Sequence, residues 1–306
     1  MYPYNASVGS RENATTFSSI GGGYDTFDDR DGQVLVSFAT ADFVPDHQGA
    51  NRYSIVEASF EITLSSSDLL FDSTSDSWQS YSPENGVEDS DLGRPFELFG
   101  AAFRGGFDGW TFGETGPFPF GAVRRERNVY PVSFTPNFGA IDASNNVLDE
   151  FDPQPFAVGI AQGISDGEPI PSETVIHFDI DTQDPDIQCY LRHAVDQGLV
   201  SLVLTSLHEA QQPGVRETRG LLQPAFHMKE SWLVYFELAE AASLSIIVEI
   251  VGGAIPEDLD GDGFVNIGDV LTALSDWGYC ICCQSDLDGD GEVGINDLLS
   301  IIGAWS

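Results

Sequence analysis

Near its C-terminus the chain repeats itself, and this repeat restricts the possible folds more than any other feature. Asp258-Leu-Asp-Gly-Asp-Gly-Phe-Val-Asn-Ile-Gly-Asp269 recurs 28 positions later as Asp286-Leu-Asp-Gly-Asp-Gly-Glu-Val-Gly-Ile-Asn-Asp297. Each copy has carboxylates at loop positions 1, 3, 5 and 12 and glycine at position 6. A hard cation wants six to eight oxygens at short range, and the glycine supplies the sharp turn that gathers them, so the spacing predicts two Ca2+ ions. Asp258, Asp260, Asp262, Asn266 and Asp269 form one candidate ligand set, with Phe264 offering its backbone carbonyl. Asp286, Asp288, Asp290 and Asp297 form the other, with the carbonyl of Glu292. Gly294 stands where the first loop has Asn266, so water fills that position.

A short amphipathic helix is expected after each loop. Ile267, Val270, Leu271, Leu274 and Trp277 fall on one helical face, and Ile295, Leu298, Leu299, Ile302 and Trp305 repeat them at the same offset. Gly278 stands where a C-cap would end the first helix. A paired loop–helix unit with Asp at position 12 resembles the type I dockerin family, and the resemblance covers residues 254–306. The Gly278-Tyr-Cys-Ile-Cys-Cys283 insertion makes it similar to the cysteine-bearing, planctomycete-type variant. The resemblance implies a calcium-folded module that anchors a secreted body to a cohesin-like receptor. Cellulosomal dockerins often carry a Ser-Thr pair at loop positions 10 and 11. This chain has Ile267-Gly268 and Ile295-Asn296 there, which opens a second option, another copy of the same chain as partner.

Charge and cysteines point to the same compartment. The chain has 49 acidic and 12 basic residues, and residues 254–306 hold eleven acids and no base. Such a field repels nucleic acid and anionic membranes and favours divalent cations and solubility in salty water. No apolar run reaches membrane-spanning length. The acidity and the module resemblance lead to an extracellular or cell-surface protein as the expectation; Met1-Tyr-Pro-Tyr is no leader, so the signal of a secreted protein has already been removed. Cys189, Cys280, Cys282 and Cys283 allow three pairings. Bonding Cys282 to Cys283 would strain the backbone, which favours one bond from Cys189 to the cluster and one local bond.

Upstream of the repeat, residues 1–32 are rich in Gly, Ser, Asn and Thr and read as an extended arm, with sequons at Asn5 and Asn13. Residues 33–253 read as the body. Its β-rich runs are Gln33–Phe38, Ser54–Leu64, Glu97–Phe103, Val129–Phe134, Phe156–Ala161, Thr174–Ile180, Leu199–Leu207, Trp232–Leu238 and Leu244–Val251. Segments dense in Gly, Pro, Asp and Ser separate them. One helix is expected between Asp184 and Gly198, with aspartate and proline at its start and glycine at its end. The fold class is therefore mainly β: a jelly-roll-like β-sandwich body with a small α-helical module, joined by the short linker Gly252–Pro256.

No catalytic signature stands out. Metalloprotease, phosphate-loop, nucleophile-elbow and dinucleotide motifs are all missing, and the five histidines are scattered. Asp179, Asp181, Asp184 and Asp186 form the densest acidic group outside the repeat, either a helix cap or a third calcium site. Phe99, Phe103, Phe107, Trp110, Phe112, Phe118 and Phe120 crowd one Gly-rich stretch, either packed inward or forming a sugar platform. Arg124, Arg125 and Arg127 are the one basic cluster. The sequence thus predicts a non-enzymatic, calcium-binding surface or matrix protein, displayed or self-assembled into a fibre or layer through its module, with the arm adding as a strand to a neighbour's sheet. The alternative is a dockerin-tethered carbohydrate-binding or glycoside-hydrolysing protein, with Trp78 or Trp110 exposed beside two carboxylates.

Overall fold

The computed structural model describes residues 12–20, 27–81, 87–89, 91–112, 124–135, 139–209, 223–250, 255–279, 283–288 and 292–306. Elements are numbered along the chain. The larger sheet is antiparallel and runs in the order β2 (Gln33–Ala39), β12 (Leu199–Ser206), β5 (Phe96–Phe103), β6 (Val129–Thr135), β7 (Gly139–Asp142), with β8 (Ala157–Val158) also paired to β5. The smaller sheet runs β14 (Ser243–Ile250), β3 (Tyr53–Thr63), β11 (Val175–Asp179), β9 (Ile160–Ala161). Side chains alternate across each strand, and the inward sets of both sheets bury one common core. Ile55, Phe60, Ile62 and Phe178 come from the smaller sheet, and Leu98, Val132, Leu202 and Leu204 from the larger. Each such side chain contributes roughly 1.5–3 kcal/mol by leaving water.

The run expected as one strand over Phe156–Ala161 is two strands in two sheets. β8 pairs with β5 and β9 pairs with β11, so the chain crosses between the sheets at Gly159. A Cβ there would lie 2.6 Å from Ile176 Cγ2 and 2.9 Å from Phe178 Cζ, so only glycine lets the crossing pack this closely.

Helix α2 (Pro185–Asp196) fits its sequence signals: Asp184 accepts N–H bonds from Asp186 and Ile187, and Gly198 takes φ +75 just past the end. Its Ile187, Tyr190, Leu191 and Val195 join the core. A short turn, α1 (Gly109–Phe112), carries Phe112 inward onto Val129 and Val203. Phe99 is buried as well, so the described members of the aromatic stretch pack inward apart from exposed Trp110; Phe118 and Phe120 lie outside the described residues.

Two further expectations are corrected. Trp232–Leu238 is not a strand but the one-turn helix α3 (Trp232–Tyr235) followed by a turn. The run does not alternate polar with apolar: Trp232, Tyr235, Phe236 and Leu238 are all exposed, and Glu237 takes φ +58. Gly278 is not the C-cap of the first module helix. That helix, α4 (Ile267–Ser275), ends at Asp276, and Gly278 opens the two-residue strand β15 (Gly278–Tyr279).

Of the segment expected as an arm, β1 (Asn13–Thr15) pairs with β13 (Ala225–His227) of the same chain, and Phe17 is buried against Gly32. Residues 1–11, with Asn5, lie outside the described residues. A further pair, β4 (Leu69–Leu70) with β10 (Pro169–Ile170), lies off the main sheets. The remaining elements, β16 (Glu292–Val293) and α5 (Ile295–Gly303), complete the module. Among the described residues no helix is long and apolar enough to cross a membrane.

Candidate metal centre

The two acidic loops close alike around their twelfth residues. Asp269, the twelfth residue of the first loop, is fully buried; its Oδ1 accepts the N–H groups of Leu259 (2.7 Å) and Asp260 (3.2 Å), and its Oδ2 that of Asn266 (2.7 Å). Asp297 is equally buried, and accepts from Leu287 (2.7 Å), Asp288 (3.2 Å) and Gly294 (2.7 Å). Burial opposes ionisation of Asp269, yet its amide donors outweigh that and hold its carboxyl below the ordinary carboxylate range. The same residue reaches back from the third helical position to the N-cap amide, so one carboxylate both closes the loop and caps the helix.

Around each closed loop, carboxylate oxygens converge. Asp258, Asp260 and Asp262 each bring one to within 4.8 Å of the others, and so do Asp286, Asp288 and Asp297. In the first loop Asn266 Nδ2 donates to Asp262 Oδ2 (3.2 Å) and to the Phe264 carbonyl (3.3 Å). The Phe264 side chain points to solvent. In the second, Glu292 is exposed on β16, and Asp290 lies outside the described residues. Asn296, which the ligand spacing did not single out, donates to Asp288 Oδ2 (3.0 Å). The donors are all oxygen, and no basic side chain exists in the module. That donor set could hold a hard divalent cation.

The halves of the module clasp each other crosswise. Val293 of the second loop pairs with Gly278, which follows the first helix. Val265 of the first loop donates to Ser306 Oγ (2.9 Å) and accepts from Ser306 N–H (3.0 Å), after the second helix. Gly278 and Ser306 are themselves 28 apart, so the clasp is two-fold in character. Leu259, Val265, Ala273, Val293 and Ile301 make the small core beneath it. Only Val270 and Leu298 of the helix stripes read from the sequence pack onto that core. Ile267, Leu271, Leu274 and Trp277 point outward, as do Ile295, Leu299, Ile302 and Trp305. The stripes are real, but they face solvent.

The module also packs on the body. Cys189 of α2 and Cys283 are both disulfide-bonded, and no described cysteine is free. The chain's other cysteines stand at 280, 282 and 283, so the Cys189 bond ties α2 to the module. Cys280 and Cys282 lie outside the described residues. The His193 ring bonds the Cys283 backbone, and burial holds its pKa below the usual imidazole value against the pull of Asp196. A Cβ on Gly49 would lie 2.7 Å from Pro256 Cγ, so the linker is seated against the body as well.

The body's charged groups resolve differently. Asp179 bonds His177, Asp181 accepts from Gln183 N–H and Asp184 caps α2, so these aspartates are not gathered as a ligand group. Arg127 pairs with Asp28 and Asp31 at 2.5 Å, and Arg125 with Asp149, a local role for the basic cluster. Asp72, Asp76 and Asp91, which the sequence reading passed over, do gather. Burial pushes the Asp76 carboxyl up to about 6, against the pull of its Tyr81 hydrogen bond and Arg94.

A comparison with protein-family models finds no match, and a comparison with curated proteins finds none.

Proposed function

We propose that this chain is a secreted, non-enzymatic calcium-binding protein of a surface or matrix. Its body, a sandwich of jelly-roll type, is displayed or assembled through a dockerin-like C-terminal module. One observation carries the reading: two carboxylate cages with matching amide distances, joined by a two-fold clasp, turn matching apolar stripes to solvent. Asp258, Asp260 and Asp262 would hold one ion and Asp286 and Asp288 the other, with Asp297 beside it. Each ion, when bound, supplies the positive charge that converging carboxylates lack in a module without a base. Asp269 and Asp297 fix the loop ends to the helix starts, so closing the loops orients α4 and α5.

The outward stripes then form the docking surface, since exposed contiguous apolar area marks interaction sites. The partner is a cohesin-like receptor or a second copy of the chain. The disulfide from α2 and the seated linker hold the body in a fixed relation to whatever the module grips.

Solution mass and circular dichroism of the full chain, with calcium and with chelator, test this. Calcium-dependent helicity is expected, with either a calcium-dependent oligomer or a monomer that binds an immobilised cohesin. Helicity that ignores the chelator would overturn the reading. The rival reading, a tethered carbohydrate-binding or hydrolysing protein, has less support. Trp110 is exposed, but its neighbour Asp108 spends its Oδ1 on Trp110 N–H, Thr111 N–H and Thr111 Oγ1. A glycan array with a hydrolysis screen checks it, and turnover of any glycan would reinstate it.

A further inference from the structure

The loop that follows β4 carries the sequence Asp72-Ser-Thr-Ser-Asp76, acids at first and fifth positions with a hydroxyl at the third. The C-terminal loops place their first and fifth aspartates at the same spacing. Asp91 returns to this loop from further along the chain, and the three residues present carboxylate oxygens within 4.8 Å of one another. Two ligands of a calcium ion lie at most about 5 Å apart, twice the metal–oxygen distance, so the gap admits one ion. Gly93, at φ +124, holds the returning chain tight: a Cβ there would lie 2.8 Å from the Leu70 carbonyl oxygen.

Asp72 shows that the cluster is more than an acidic surface. It is 1 % exposed. Its Oδ1 accepts Thr74 N–H (2.9 Å) and Thr74 Oγ1–H (3.0 Å), while its Oδ2 is buried with no hydrogen-bond partner. A buried carboxylate oxygen left in this way is costly, and such a vacancy calls for an explanation. Nearby, Asp76 Oδ2 takes both Tyr81 Oη–H (2.5 Å) and Arg94 (3.2 Å), and Arg94 is shared with Asp89. Arg94 is thus divided between Asp76 and Asp89, and no described basic side chain is paired with Asp72. We infer that Asp72, Asp76 and Asp91 form a third cation site, of oxygen-only chemistry suited to Ca2+, in the body and independent of the C-terminal loops.

Calcium stoichiometry on the full chain tests this with Ca2+ alone as probe. A chain carrying Asp260→Asn and Asp288→Asn is expected to retain one ion per molecule in millimolar Ca2+, and adding Asp72→Asn is expected to remove it. In the otherwise unaltered chain, Asp72→Asn or Asp91→Asn alone should lower the bound calcium by one. Asp72→Asn keeps the side-chain shape and relieves repulsion, so without calcium it should melt no lower than the parent. No ion in the loop-disabled chain, or an unchanged count after Asp72→Asn, overturns the site. Because the body and loop ions are counted separately, loss of the C-terminal ions leaves this inference standing, and the reverse holds too.

Discussion

The body and the C-terminal module both bury carboxylates, but they neutralise them by different means. In the body, Glu97 meets Arg30 at 2.5 Å with both side chains nearly inaccessible, and Arg30 also reaches Thr205 and Asn146. Asp28 and Asp31 share Arg127 in the same manner. The module buries Asp269 and Asp297 without one arginine or lysine in its sequence. Its amides absorb those two carboxylates, and under the proposed function a cation balances the converging ones around them. On that proposal the body's buried carboxylates are paired within the covalent chain, whereas the module's depend on the solution. The Asp72 cluster falls between the two: Arg94 pairs with Asp76, while Asp72 Oδ2 is buried without a hydrogen-bond partner.

Arg30→Met should break the body's side of this contrast and give the largest effect. It strands a buried Glu97, so a loss of about 3–5 kcal/mol is expected in denaturant unfolding, equal with and without calcium. Asp297→Asn attacks the other side. It replaces a charged acceptor of three amides with a group that presents N–H donors to one of them. A cost of about 1.5–3 kcal/mol to the module is expected, measured by amide exchange or calorimetry, and evident only in calcium.

The junction between the two regions should respond to pH. Burial lowers the His193 pKa below 6.5, so the packed state prefers the neutral ring. Above that value both states are neutral and nothing is gained. As pH falls below it, the separated state takes up the proton first, and packing weakens by at most about 1.4 kcal/mol per pH unit until the folded pKa is reached. His193→Phe should flatten this part of the profile. The difference from the parent isolates it from His208, whose pKa burial lowers to about 3. The smallest stability effect is expected for Trp305→Ser, within about 0.5 kcal/mol, because the ring is half in solvent. Its effect should fall on partner binding or self-association instead, read by light scattering or a pull-down in calcium.

Much of this was legible in the residues. Helix α2 announced itself through Asp184, Pro185 and Gly198, and the long strands through β-branched and aromatic runs bounded by turn formers. The paired loops were readable because ligand spacing is a local property. What escaped was set by tertiary partners. No local pattern distinguishes Phe156–Ala161 as one strand from two, since the crossing at Gly159 depends on Ile176 and Phe178. The run Trp232–Leu238 had strand composition without strand alternation, and that missing alternation was the available signal. The helix stripes of the module gave the right periodicity but not the side that would be covered, because Val265 and Val293 from the loops fill the core. Asp72 and Asp76 could have been found by their spacing; Asp91, brought in from further along the chain, could not.

Amide hydrogen exchange on the full chain, with calcium and after chelation, tests the central claim most directly. The account predicts that the amides of Leu259, Asp260, Asn266, Leu287, Asp288 and Gly294, which grip Asp269 and Asp297, lose protection when the ion is withdrawn. The amides of Arg30 and Leu148, beside the arginine-balanced network, should exchange at the same rate in both conditions. Equal protection of the loop amides with and without calcium would contradict it.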